Sequence, residues 1–132
     1  MVEYLKKTTI TEEDIGFLIA PLLNCAGRME DASIAVNFLL SNNKQEAKDI
    51  LDYLITLNNT RKEEQQKIYE QSLLQINHKD KVIVVENKNW NEGIIGIVAS
   101  KLCDKYDKPS FVFSITNNKA KGSARCNSNV NL

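Results

Sequence analysis

Lys81-Val82-Ile83-Val84-Val85, then Gly93-Ile94-Ile95-Gly96-Ile97-Val98-Ala99-Ser100, then Ser110-Phe111-Val112-Phe113-Ser114-Ile115: this succession decides the fold class. The first run is short and continuously apolar, the signature of a strand buried on both faces. The second opens a helix over residues 93–106, and the third is a strand entered from Pro109. Strand, helix and strand in that order form a β-α-β unit, and a right-handed crossover makes the two strands parallel. Residues 119–126 supply either a third strand or a loop crossing the strand ends. The class is α/β.

Upstream of this unit, residues 44–76 contain neither glycine nor proline, and Ala47, Ile50, Leu51, Leu54 and Leu57 recur at the spacing of an amphipathic helix. From Asn58 to Lys67 no apolar residue occurs, and Ile68, Tyr69, Leu73, Leu74 and Ile76 then resume the stripe. One unbroken helix of this length spans roughly 50 Å at about 1.5 Å per residue. Its polar middle has nothing to bury, as in a solvent-exposed strut between two bodies. Two antiparallel helices turning near Asn58-Asn59 are the alternative, and the lack of a glycine or proline there counts against them.

The N-terminal part reads as helical. Thr11 is a hydroxyl N-cap before Glu12-Glu13-Asp14, and Ile15, Leu18 and Ile19 follow at helical spacing until Pro21 closes the element. Residues 21–30 are expected to be a loop. A second helix starts near Asp31, with Ile34, Val36, Phe38, Leu39 and Leu40 expected largely buried, and Ser41-Asn42-Asn43 breaks it.

The chain has 132 residues, is 42% hydrophobic and has zero formal net charge, which argues against an indiscriminately basic nucleic-acid binder. The charge is unevenly spread. Residues 1–78 hold 8 Lys+Arg and 12 Asp+Glu, a balance of −4, whereas residues 79–132 hold 9 and 5, a balance of +4. The C-terminal part is therefore the better electrostatic footprint for an anion. Three cysteines without Cys-x-x-Cys spacing and a single histidine, His78 in a polar turn, make no recognisable zinc site, and the thiols are read as reduced. No apolar run approaches the roughly 20 residues of a membrane span, and the first residues lack a signal-peptide pattern, so a cytoplasmic protein without membrane contact is expected. A β-α-β unit this small cannot shield both faces of its sheet, and Val130-Asn131-Leu132 stops in mid-pattern, so the sequence is expected to be a piece of a longer protein.

Two glycine-arginine signatures carry the chemistry. Asn24-Cys25-Ala26-Gly27-Arg28-Met29 and Lys121-Gly122-Ser123-Ala124-Arg125 each couple glycine to a guanidinium, which grips a phosphate bidentately. In a strand, Ser123 and Arg125 point to one face. Gly93 and Gly96 serve either a helix N-terminus that offers amides to a phosphate or a close helix-to-strand contact. An extended polyanion suits the pair of signatures, and nucleic acid is the candidate.

In order, residues 15–29, Asp31-Ala32-Ser33, residues 90–100 and residues 121–125 resemble the RecJ family of DHH phosphoesterases, single-strand-specific 5′-to-3′ DNA exonucleases. The resemblance covers nearly the whole chain. It implies the end of a DHH catalytic domain over residues 1–43, a connector helix over 44–77 and the start of a DHH-associated nucleic-acid-binding domain over 78–132. It further implies that single-stranded DNA runs in a cleft between two domains, with paired manganese, or magnesium, activating water in the parent enzyme. The family's metal-binding aspartates and histidines lie in motifs upstream of those present, so no metal centre, no cofactor and no catalytic residue are expected in this chain, which alone should not cut DNA.

By that resemblance Asn24 and Arg28 belong to a cleft-lining loop, Ser123 and Arg125 take a phosphate near the 5′ end, Gly93 and Gly96 let a helix begin close to the ligand, and Gly122 belongs to the same phosphate-binding stretch; Asn91 joins the DNA-binding set because its side chain can donate a hydrogen bond. Leu22, Asn91-Glu92 and Cys126 depart from the commonest family pattern, replacing an arginine, a His-Pro and a second serine. Two alternatives remain: a nucleic-acid-binding module without catalysis, like the related domain of alanyl-transfer-RNA synthetases, and a short-oligonucleotide or cyclic-dinucleotide phosphodiesterase. The latter relatives carry a Gly-Gly-Gly-His signature that this sequence lacks.

Overall fold

A computed structural model describes residues 2–127. The chain divides into two compact units, Met1–Arg61 and Lys62–Leu132, and the division falls within the long helix. The expectation for Val130-Asn131-Leu132 lies outside the described residues.

The first unit is helical. A short α1 (Val2–Leu5) precedes α2 (Glu12–Asp14), where Thr11 and Asp14 form a reciprocal capping box. A wide π turn follows over Ile15–Ile19 and runs directly into α3 (Ala20–Met29). Pro21 therefore does not end the helical run. It sits in the first turn of α3, directly after the wide turn, a place where helical runs tolerate proline. The residues expected as a loop, 21–30, are mostly helix for this reason.

Next comes α4 (Ser33–Leu40), and the Asp31 carboxylate accepts the Ser33 amide at 2.8 Å, which holds that carboxyl below its ordinary range. Ala35 packs with Cys25, Ala26, Leu54 and Leu57, and Ile34 and Phe38 lie against that cluster. The opposite flank is not buried as expected, for Val36, Leu39 and Leu40 are half or more exposed. Only one face of α4 meets the core, so an apolar composition all round did not translate into burial all round.

The long helix α5 (Lys44–Leu73) is unbroken over 30 residues, with Asn43 accepting the Gln45 and Glu46 amides at its start. The antiparallel alternative falls. Its polar stretch is not wholly solvent-exposed either, since Asn58 is only 6% exposed.

The second unit holds the sheet. Strands β1 (Ile83–Lys88) and β2 (Ser110–Thr116) are parallel and joined through α6 (Ile95–Tyr106), while β3 (Lys119–Arg125) pairs antiparallel with β2. The order is β1-β2-β3. Asn117 and Asn118 both have positive φ, which makes the two-residue hairpin turn between β2 and β3 the kind whose twist matches the strands. Asp107 ends α6 in the left-handed region.

Helix α6 packs on β2 and β3, burying Val98, Ala99, Leu102 and Cys103 together with Ile83, Val85 and Val112. Burial alternates along β1, and Val84 is 60% exposed. The run expected to be buried on both faces is covered on one, because among the described residues a helix lies against only that side. At the outer edge of β1, the Gln75 side-chain amide donates to Glu86 O at 2.9 Å and accepts Glu86 N at 3.0 Å.

Candidate nucleic-acid interface

In the second unit the predicted residues converge on the beginning of α6. Register opposite β2 places Ser123 across from Val112 and Arg125 across from Ser110, so the two share one face of β3. That face meets α6: a Cβ added to Gly96 would lie 3.1 Å from Ser123 Oγ and 3.6 Å from Arg125 Nη2. Glycine at 96 is thus a spacing device that seats a hydroxyl and a guanidinium against the first turn of a helix.

The Arg125 Nη1 donates to Ser123 Oγ at 3.2 Å and to Ala124 O at 2.7 Å, folding the guanidinium back along the strand. Arg125 is exposed and Ser123 half-buried. A donor hydroxyl, a planar fork and the positive end of a helix dipole in one place suit an oxyanion.

Asn91 shapes the approach. Its Oδ1 accepts the Gly93 amide at 2.9 Å and its carbonyl accepts the Ile94 and Ile95 amides, forming the turn that leads into α6. The Asn91 side chain and the Gly93 amide thus hold this turn together. Asn91 also lines a cavity of about 440 Å³ with Glu64, Gln71 and Trp90, and Trp90 Nε1 donates to Gln71 Oε1 at 2.7 Å. Gly122 faces the other way. A Cβ there would come within 2.4 Å of Phe113, its cross-strand partner, so the absence of a side chain at 122 makes room for an aromatic ring.

In the first unit Asn24 and Arg28 are exposed and one turn apart on α3, hence on the same helix face. They sit on a helix, not on the loop that the resemblance implied. Beneath them Cys25 is buried, donating to Leu22 O and Leu54 O, and burial raises its thiol pKa.

The sequence reading missed Arg61. Its Nε and Nη2 both donate to Asn58 Oδ1, at 3.2 and 2.7 Å, which orients a half-buried guanidinium on α5. Desolvation is the main cause lowering its pKa, and the Arg28 charge adds to the effect. The available signal was an Asn-x-x-Arg pair at helical spacing inside a run read only as solvated.

Among the described residues no group of three or more His, Cys, Asp or Glu side chains gathers in a way that could hold a metal ion. The residues described do not fit the two-metal centre implied for the parent. His78 lies in an exposed turn beside Tyr106, with ring centroids 5.7 Å apart. No helix among the described residues is long and apolar enough to cross a membrane.

Residues 79–132 match the DHHA1 domain model. The single-stranded-DNA-specific exonuclease RecJ of Bacillus subtilis is 38% identical over 126 residues, which cover 92% of this chain and 16% of that protein. Over most of its length the chain is similar to RecJ. A crystal structure of exonuclease RecJ bound to manganese matches 96% of this chain and 32% of that one, with a TM-score of 0.83 and 28% identity. The structure of RecJ in complex with Mg2+ from Thermus thermophilus matches 96% of this chain and 20% of that one, with a TM-score of 0.87 and 28% identity. The family resemblance drawn from the motifs holds, and so does the α/β class. The chain spans about a sixth of the Bacillus subtilis relative's length.

Proposed function

We propose that this chain is the substrate-gripping segment of a RecJ-like 5′-to-3′ single-stranded DNA exonuclease, a cytoplasmic enzyme whose manganese or magnesium ions sit on residues outside the present sequence. Residues 1–43 are the end of the DHH catalytic domain, 44–77 the connector helix and 78–132 the beginning of the associated domain. The reading is supported by RecJ similarity over most of the chain, on both sides of α5. The observation that carries it is the meeting of Ser123 and Arg125 at Gly96, a built place for a backbone phosphate.

The role of each residue is physical. Arg125 supplies the charge and Ser123 a hydroxyl donor. Gly96 allows both to approach the helix start, and Asn91 with Gly93 fixes the turn that aims it. Arg28 and Asn24 offer a second polar contact from α3. In the full-length parent, Arg125→Ala is expected to weaken single-strand binding by an amount that shrinks as salt rises, because fewer counterions are released. Fluorescence anisotropy with a labelled oligonucleotide across a salt series checks it. An unchanged affinity and an unchanged salt slope would remove the assignment.

A further inference from the structure

The row of side chains on β3 does not end at Ser123. Residues two apart along a strand share a face and stand about 6.8 Å apart, close to the length of one nucleotide of extended backbone. Lys121 lies one such step from Ser123, on the face directed at α6, while Gly122 turns to Phe113 on the opposite face. Lys121 Nζ contacts Glu92 Oε2 at 2.8 Å, with the two side chains 68% and 42% exposed. Glu92 belongs to the same turn that leads into α6. An anion therefore already occupies the position beside Lys121, one step along the row from the Ser123–Arg125 site.

We propose that Lys121 contacts a second backbone phosphate, one nucleotide along the strand from the phosphate at Ser123 and Arg125, and that Glu92 is the anion this phosphate displaces. The inference rests on the reading of Ser123 and Arg125 as a phosphate site. An exposed ion pair of this kind contributes little to stability, so a phosphate with its greater charge takes Lys121 at low cost. Glu92 then stands close to the incoming strand and repels it. A single strand with phosphates at nucleotide spacing fills both positions at once, which a lone phosphate cannot do.

The test uses the full-length parent without divalent metal, so that nothing is cut, and two 5′-phosphorylated single strands that differ only in the first internucleotide linkage, a normal phosphodiester or a neutral methylphosphonate. Binding is followed by chemical-shift titration. Lys121→Ala is expected to weaken the normal strand and to reduce its salt slope by about 0.7, the value for one single-strand phosphate. On the methylphosphonate strand the same variant should behave as the unsubstituted parent does. Glu92→Gln should tighten the normal strand, and Arg125→Ala should weaken both strands.

Equal weakening of both strands by Lys121→Ala, no weakening of either, or no tightening by Glu92→Gln would overturn the inference while leaving the Arg125 result standing. Indifference of both strands to Arg125→Ala, or no binding by the unsubstituted parent, would instead overturn the underlying phosphate reading.

Discussion

Arg28 and Arg125 have the same side chain on opposite kinds of support. Arg28 rides on α3, whose inner side is locked by Cys25, Ala26 and Leu54 in a fully packed cluster. Arg125 rides at the end of an outer strand whose residues are mostly exposed, and it is placed by a hairpin turn, a glycine approach and two hydrogen bonds. A helix-borne guanidinium is positioned by what lies under it, and a strand-borne one by what lies beside it. The first should be sensitive to cavities and the second to crowding.

Leu54→Ala should break the comparison most forcefully. Leu54 is fully buried in the cluster beneath α3, so the substitution is expected to cost about 2–5 kcal/mol. Hydrogen exchange should locate the loss in the amides of α3 and α4. Equal protection in the substituted and unsubstituted chains would show that Arg28 does not depend on this packing.

Gly122→Ala is the corresponding insult to the strand. Its Cβ would come within 2.4 Å of the Phe113 ring edge, and about 1–3 kcal/mol of destabilisation is expected. Trp90, the sole tryptophan, reports on that unit by fluorescence during chemical unfolding. Pairing the change with Phe113→Leu should recover most of the loss, since the two positions share one contact. Failure of the second change to compensate would mean that Gly122 is required for its backbone or its ligand, not for its neighbour.

The smallest effect sharpens the electrostatic side. Asp14 has its pKa held below the ordinary 3.8, mainly by the bond from Lys7 and then by the Thr11 amide. A depressed carboxylate stabilises the folded state fully above 3.8 and loses that contribution as pH falls below it through the folded value. The first unit should therefore weaken under acid in that window, and Asp14→Asn should already lack the contribution at neutral pH. Circular dichroism across an acid titration measures both. Identical acid profiles for the two chains would remove Asp14 from the account.

Much of this was legible in the chain itself. The β-α-β succession and the absence of glycine and proline in residues 44–73 follow from local periodicity, and the structure keeps both. The convergence of Ser123 with Arg125 follows from alternation in a strand. What was not legible depends on neighbours distant in sequence. Pro21 inside a helical run needs a wide turn that no composition announces. The exposure of Val36, Leu39, Leu40 and Val84 depends on which faces meet a partner, and hydropathy alone carries no such direction. That Gly122 makes room for the Phe113 ring is visible only once register sets the two opposite each other. Arg61 was hidden because a polar run inside a helix has no periodic signal, although its Asn58 partner sits at helical spacing.

The carboxamide of Gln75 gives the rim of the sheet an ending of its own. By exchanging two bonds with the main chain at Glu86, it imitates one residue of an additional strand and uses up the groups that a stranger would need there. Any chain seeking to extend the sheet from that side must first evict it. A single glutamine thus acts as a bookend, and Gln75→Ala would leave the shelf open to self-association.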